Sequence, residues 1–245
     1  MVKKIDTENL CKIECNRHLN NFLDFCRMLS QIGLIIAKEW KLEWRNRSAI
    51  AGLSVYILSG LYISYLSFKK IADPATWNAL FWILILFMAV NALAKSFMTE
   101  SRGLQLFYYT FLNPQVVIIG KIIYNGVLLF VLGLLTLLFY TILLGNPVQD
   151  SFMFLITLLA GCFGISSVLT MISAIASRAG HQSSMMAILG FPVLLPLLII
   201  LIHLSKNAID GIEFSVNVKY LTLILSLNLI VPALAFILFP YLWRE

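Results

Sequence analysis

The run VVIIGKIIYNGVLLFVLGLLTLLFYTILL, from Val116 to Leu144, contains no acidic residue and a single charge, Lys121. A helix rises about 1.5 Å per residue, so about 20 mostly apolar residues cross a hydrocarbon layer about 30 Å thick. This run is longer than that. Five further stretches pass the same test: Ala49 to Phe68, Trp77 to Phe97, Phe152 to Ser177, Ser183 to His203 and Tyr220 to Tyr241. The polar connectors between spans are Lys69 to Thr76, Met98 to Gln115, Gly145 to Ser151, Arg178 to Gln182 and Leu204 to Lys219.

Composition agrees with that reading. The 245 residues are 60% hydrophobic and 12% charged, with a mean hydropathy of +0.89; soluble domains carry about a quarter charged residues. The sequence therefore predicts an all-α integral membrane protein with six transmembrane helices, residues 49–245, embedded in the lipid bilayer. A net charge of +6 does not point to nucleic acid, because the basic residues gather beside apolar blocks and form no continuous patch with interleaved aromatics.

Those basic residues set the expected orientation, since cytoplasmic flanks keep Lys and Arg during insertion. With the N-terminus inside, the cytoplasmic face carries Lys38, Lys41, Arg45, Arg47, Lys95, Arg102, Lys121, Arg178 and Arg244. The other face has only Lys69, Lys70, Lys206 and Lys219. Both termini are expected in the cytoplasm. The first apolar run follows a long polar lead, so no cleavable signal peptide is expected.

Residues 28–48 read differently. Met28, Leu29, Ile32, Ile35, Ile36 and Leu42 recur near helical spacing, and Lys38, Glu39, Lys41, Glu43, Arg45 and Arg47 gather towards the end. This predicts an amphipathic helix at the inner membrane surface, with Trp40 and Trp44 at headgroup depth; the competing reading is an extension of the first span. Residues 1–27 form a polar cytoplasmic extension. Its Cys11, Cys15 and His18, with Cys26, can be drawn as a metal site or read as reduced thiols in a loose tail, and their spacing is not that of a zinc ribbon. Cys162 lies inside a span and is expected to pack there.

Chemistry is sparse. The spans are nearly free of Asp, Glu and His, which argues against a proton- or ion-coupled carrier, because such carriers keep an ionisable group at mid-membrane. Lys95 and Lys121 lie near the cytoplasmic edge and are expected to snorkel to water. His181 and His203 each stand alone, as axial ligands for iron or as ordinary interfacial histidines. No G-x-x-x-x-G-K-[ST] loop is present to cradle phosphates, so the chain is not expected to be an enzyme, and any ATP must be hydrolysed by a partner. No directly bound cofactor or metal is expected.

Small and hydroxylated residues mark two expected packing seams: Ser166, Thr170, Ser173 and Ser177 in the fourth span, and Gly52, Tyr56, Gly60 and Ser64 in the first. Pro192 and Pro196 in the fifth span, and Pro232 four residues after Asn228 in the sixth, each remove a backbone hydrogen bond. The most informative connector is Met98 to Gln115. It is too apolar for a solvated loop and too polar for a span. Thr99 or Ser101 can cap a short helix bearing Leu104, Leu106, Phe107, Tyr108 and Phe111, and Asn113-Pro114 stops it. Such a helix suits docking into a groove on a partner, or its aromatics lie in lipid.

This connector carries a resemblance. Phe97, Glu100, Gly103-Leu104, Leu106, Asn113-Pro114, Gly120-Lys121 and Tyr124, followed by a long third span, resemble the haem exporter protein B family (CcmB). Glu39 to Arg47 before the first span, and Gly190-Phe191-Pro192 to Pro196 in the fifth, are similar to that family as well. The resemblance covers about Met28 to Pro196.

It implies a six-helix fold of the ABC-2 exporter type in a bacterial inner membrane. The subunit would be the permease of an ABC transporter for cytochrome c biogenesis, coupling ATP hydrolysis to haem export or to release of a haem-loaded chaperone. The implied coupling helix contains Glu100, Gly103, Leu104, Leu106, Tyr108, Tyr109, Phe111 and Pro114. The implied partners are an ATPase subunit (CcmA-like), a haem-handling membrane protein (CcmC-like), a small accessory protein (CcmD-like) and the haem chaperone (CcmE-like), with haem as cargo rather than a resident cofactor. A structural adaptor without a translocation path is the alternative, and a stand-alone secondary carrier is a third.

Overall fold

The structure, a computed structural model, describes residues 28, 30–43, 45, 47–68, 73–93, 114–178 and 182–244. Among these residues every regular element is helical: α1 over residues 30–43, α2 (Arg47–Phe68), α3 (Pro74–Leu93), α4 (Pro114–Leu144), α5 (Ser151–Arg178), α6 (Gln182–Ile209) and α7 (Phe214–Arg244). Helices α3 to α7 are each long and apolar enough to cross a membrane, while α2 contributes a shorter apolar stretch, Gly52–Ser67. The chain is a multi-pass helical membrane protein. The six spans expected correspond to these five and to α2, a helix of 22 residues whose apolar stretch among the described residues is the shorter one.

Several boundaries also move. The connector expected over Leu204 to Lys219 shrinks to residues 210–213, since α6 continues to Ile209 and α7 begins at Phe214. The reason is that Leu204, Ala208 and Ile209 recur at helical spacing and are buried, and Ser205 between them is buried too. Pro114, expected to stop a preceding helix, is the first residue of α4; its fixed φ and missing N–H suit that position.

Helix α5 is the centre of the bundle, packing against α3, α4, α6 and α7, whereas α2 sits at the edge against α3 and α4. Its sequence explains the position. A Cβ at Gly161 would come within 2.6 Å of Trp82 Cη2, and one at Gly126 of α4 within 2.7 Å of Phe163, so the helices approach through missing side chains. Ser166, Thr170 and Ser173 are buried. Two of them are satisfied: Ser166 donates to the Phe163 carbonyl at 3.0 Å, and Asn125 of α4 donates to Thr170 Oγ1 at 2.8 Å, whereas the Ser173 hydroxyl is buried without a hydrogen-bond partner among the described residues. In α2 the expected seam is half realised: Ser64 is buried and Gly60 faces Leu84, but Gly52 faces open space.

The bundle end away from α1 is tied by aromatics and a buried polar cluster. Tyr140 of α4 donates to the Trp77 carbonyl at 3.0 Å and packs edge-on against the Trp77 ring at 4.8 Å. Ser205 of α6 accepts from Trp82 Nε1 at 2.8 Å and lies 2.8 Å from Asn78 Oδ1, while Asn78 Nδ2 donates to the Ile202 carbonyl at 3.0 Å. In hydrocarbon such groups must find partners inside the protein. The turns there use Gly145 (φ 86°) and Gly211 (φ 68°), backbone that side chains disfavour. Asp150 Oδ1 caps α5 by accepting from the Met153 N–H at 3.0 Å.

Candidate functional site

The other end of the bundle is built around α1. Its residues Ile32 and Ile35 are buried in a second, smaller core with Val116, Val117, Ile118 and Ile122 of α4, Ala174 of α5, and Ala235 and Phe239 of α7. Helix α4 has 31 residues, hence a length of about 46 Å, which exceeds a hydrocarbon layer of about 30 Å. Its first turns therefore have length to spare for α1.

Two contacts set the register. A Cβ at Gly120 would lie 3.1 Å from Ile35 Cγ2, so the glycine admits that isoleucine. One turn further along α1, Glu39 Oε1 lies 3.7 Å from Lys121 Nζ, the lysine side chain being 1% exposed and the glutamate 15%. Lys121 does not reach water as the sequence suggests. It is the one buried charge among the described residues, and Glu39 also receives Lys38 at 2.9 Å. The signal was present in sequence: Ile32, Ile35, Ile36 and Glu39 fall on one helical face, and a lone lysine beside a glycine interrupts an apolar run.

Past this ion pair, α1, α2 and α4 leave an apolar groove of about 430 Å³ between them. It is lined by Trp40 and Glu43 of α1, by Leu53, Ser54, Ile57 and Leu58 of α2, and by Tyr124 to Phe139 of α4. Glu43 has its carboxyl pKa raised, first by burial and then by the negative charge of Glu39.

Of the residues expected to form a coupling helix, Pro114 opens α4; Glu100, Gly103, Leu104, Leu106, Tyr108, Tyr109 and Phe111 lie outside the described residues, as do Lys95, His181 and the Cys11, Cys15, His18 and Cys26 cluster. His203 is exposed and stacks on Tyr220 at 6.1 Å. Cys162 is a buried free thiol, 3.6 Å from the Leu129 carbonyl. Among the described residues no three His, Cys, Asp or Glu side chains gather as a metal site would require. The arrangement has the means to join two helices mechanically at one end of a membrane bundle.

The family model described as CcmB protein matches residues 31–240, from α1 through most of α7. No curated protein matches the chain, and no solved structure does.

Proposed function

The chain belongs to the CcmB family, membrane subunits of the haem export system of cytochrome c maturation, and from that membership we propose that it couples ATP hydrolysis in a partner subunit to haem export or to release of the haem-loaded chaperone. The observation that carries the reading is the extent of the match, which takes in α1, the 94–113 connector and every membrane helix. The partner ATPase, resembling CcmA, would grip the Thr99 to Leu112 segment through Leu106, Tyr108, Tyr109 and Phe111. The packing described above supports such a role. Helix α4 starts at Pro114, immediately after that segment, and its first turns hold α1 through Gly120 and Lys121. A push on the connector would therefore reach α1 and α4 together.

In this proposal the α1 end faces the cytoplasm of a bacterium, both termini lie there, and the subunit sits in the inner membrane. Its further partners are a haem-handling membrane protein like CcmC, a small protein like CcmD and the chaperone CcmE. Haem is cargo, held by those partners. ATP binds the ATPase subunit alone.

The test is Tyr108→Ala with Phe111→Ala. Aromatic anchors at an interface contribute about 2 kcal/mol or more each, so the double variant is expected to lose ATPase co-purification and cytochrome c assembly while inserting normally. Retention of the ATPase at native stoichiometry would refute the coupling assignment.

A further inference from the structure

The proposed coupling gives the groove between α1, α2 and α4 no task. It runs beside α4 from Tyr124 to Phe139, a distance of about 22 Å at the helical rise. Leu58, Val131, Leu135 and Phe139 of its lining are exposed, so it opens sideways towards lipid. Its far end, past Val131, is lined by aliphatic and phenyl side chains alone, whereas Trp40, Glu43 and Tyr124 meet at the α1 end.

Two groups at that end lack a partner. Tyr124 is 5% exposed, and its hydroxyl is buried without a hydrogen bond among the described residues. Glu43 is the one charged side chain of the lining, and no cation among the described residues pairs with it: Lys38 and Lys121 both lie against Glu39. Lys41 stands two positions from Glu43, hence on the other side of α1. The raised pKa of Glu43 has the same origin, burial first and then the negative charge of Glu39. A half-buried carboxylate with no counter-charge is costly, and so is a buried hydroxyl with nothing to bond. A molecule bearing a cation rich in N–H donors relieves both, and the Trp40 indole, 52% exposed, adds an aromatic face for the same charge.

We propose that this groove binds a lipophilic amine, its ammonium group donating to the Glu43 carboxylate and the Tyr124 oxygen and its apolar chain lying along α4. Charge complementarity selects this occupant. A fatty acid would set carboxylate against carboxylate, and a fatty alcohol would leave the charge of Glu43 unpaired. A phospholipid fits poorly, because its phosphate stands between the chain and any amine of the headgroup, and the lining offers no cation to receive it. The nitrogen must therefore sit directly on the apolar body.

Native mass spectrometry of the purified full chain, in non-ionic detergent at neutral pH and titrated with dodecylamine, dodecanol or dodecanoate, tests it. Wild type should retain dodecylamine in preference to the other two. Glu43→Gln should weaken dodecylamine about tenfold and bring it level with dodecanol, and Tyr124→Phe should weaken it about threefold. Lys41→Gln, on the other side of α1, should change nothing. Val131→Trp, at an exposed position of the lining, should fill the slot and exclude all three compounds, with its melting midpoint as the control for folding; where it fails to fold, the Glu43 and Tyr124 variants decide. Equal retention of dodecylamine and dodecanol by wild type would overturn the proposal, as would undiminished dodecylamine on Glu43→Gln or on folded Val131→Trp. So would phosphatidylethanolamine displacing dodecylamine from wild type, which would assign the groove to bilayer lipid, or a change of oligomeric state on Val131→Trp, which would assign it to a second copy of the chain.

Discussion

Replacing Glu39 by Gln keeps the shape of the α1–α4 junction and removes the carboxylate 3.7 Å from the buried Lys121 ammonium. Breaking a buried pair by neutralising one partner costs about 3 to 5 kcal/mol. The low end applies here, about 3 kcal/mol, because the carboxylate retains 15% exposure and the separation is long for a hydrogen-bonded pair. That cost is comparable with the few kcal/mol gained by burying Ile32 and Ile35, at about 2 kcal/mol each. The result should be release of α1 rather than collapse of the bundle. Hydrogen exchange is the assay: amides over residues 30–43 should lose protection by about a hundredfold, while those of α5 stay as in wild type. Glu39→Gln combined with Lys121→Met should restore most of the protection, since no charge is then buried. Unchanged α1 protection in the single variant, or equal loss in α5, would refute the reasoning.

Other outcomes follow from the same structure. Gly161→Ala should lower the detergent melting midpoint by an amount equivalent to about 1 to 3 kcal/mol, because its Cβ meets Trp82 at 2.6 Å and Trp82 is held by Ser205; an unchanged midpoint would show that the rings yield. Glu43→Gln should protect α1 better at neutral pH. With its pKa raised, Glu43 adds docking stability at acid pH that is lost as pH rises through the folded value, so the variant should also flatten the pH dependence of α1 protection. Cysteine labelling should place Gln149 and Lys206 outside and Arg102 and Arg178 inside; a cytoplasmic signal at Gln149 would break the orientation.

The helical membrane class was legible because an apolar run as long as Val116 to Leu144 has few other uses. Span ends were less so. Leu204, Ser205 and Lys206 read as the start of a loop, yet Ser205 is a buried link between Trp82 and Asn78, and only the packing of α3 on α6 reveals that. The amphipathic pattern of α1 was visible, but not that it stacks across three helix ends; amphipathicity reports that a face is buried without saying against what. Lys121 illustrates the same gap. A charge near a span end suggests snorkelling, and only tertiary structure discloses a counter-charge 82 positions away, between Lys121 and Glu39. Of the proposed coupling residues, Pro114 alone falls within the described helices.

The most direct measurement of the central claim is covalent haem on c-type cytochromes, read by haem staining of membranes from cells in which the gene for this chain is deleted and then restored. A membrane subunit of cytochrome c maturation predicts that the stained bands vanish on deletion, return with the wild-type gene, and fail to return with Tyr108→Ala/Phe111→Ala although the protein inserts at normal levels. Full haem staining in the deleted cells, with no other copy of the gene present, would contradict it.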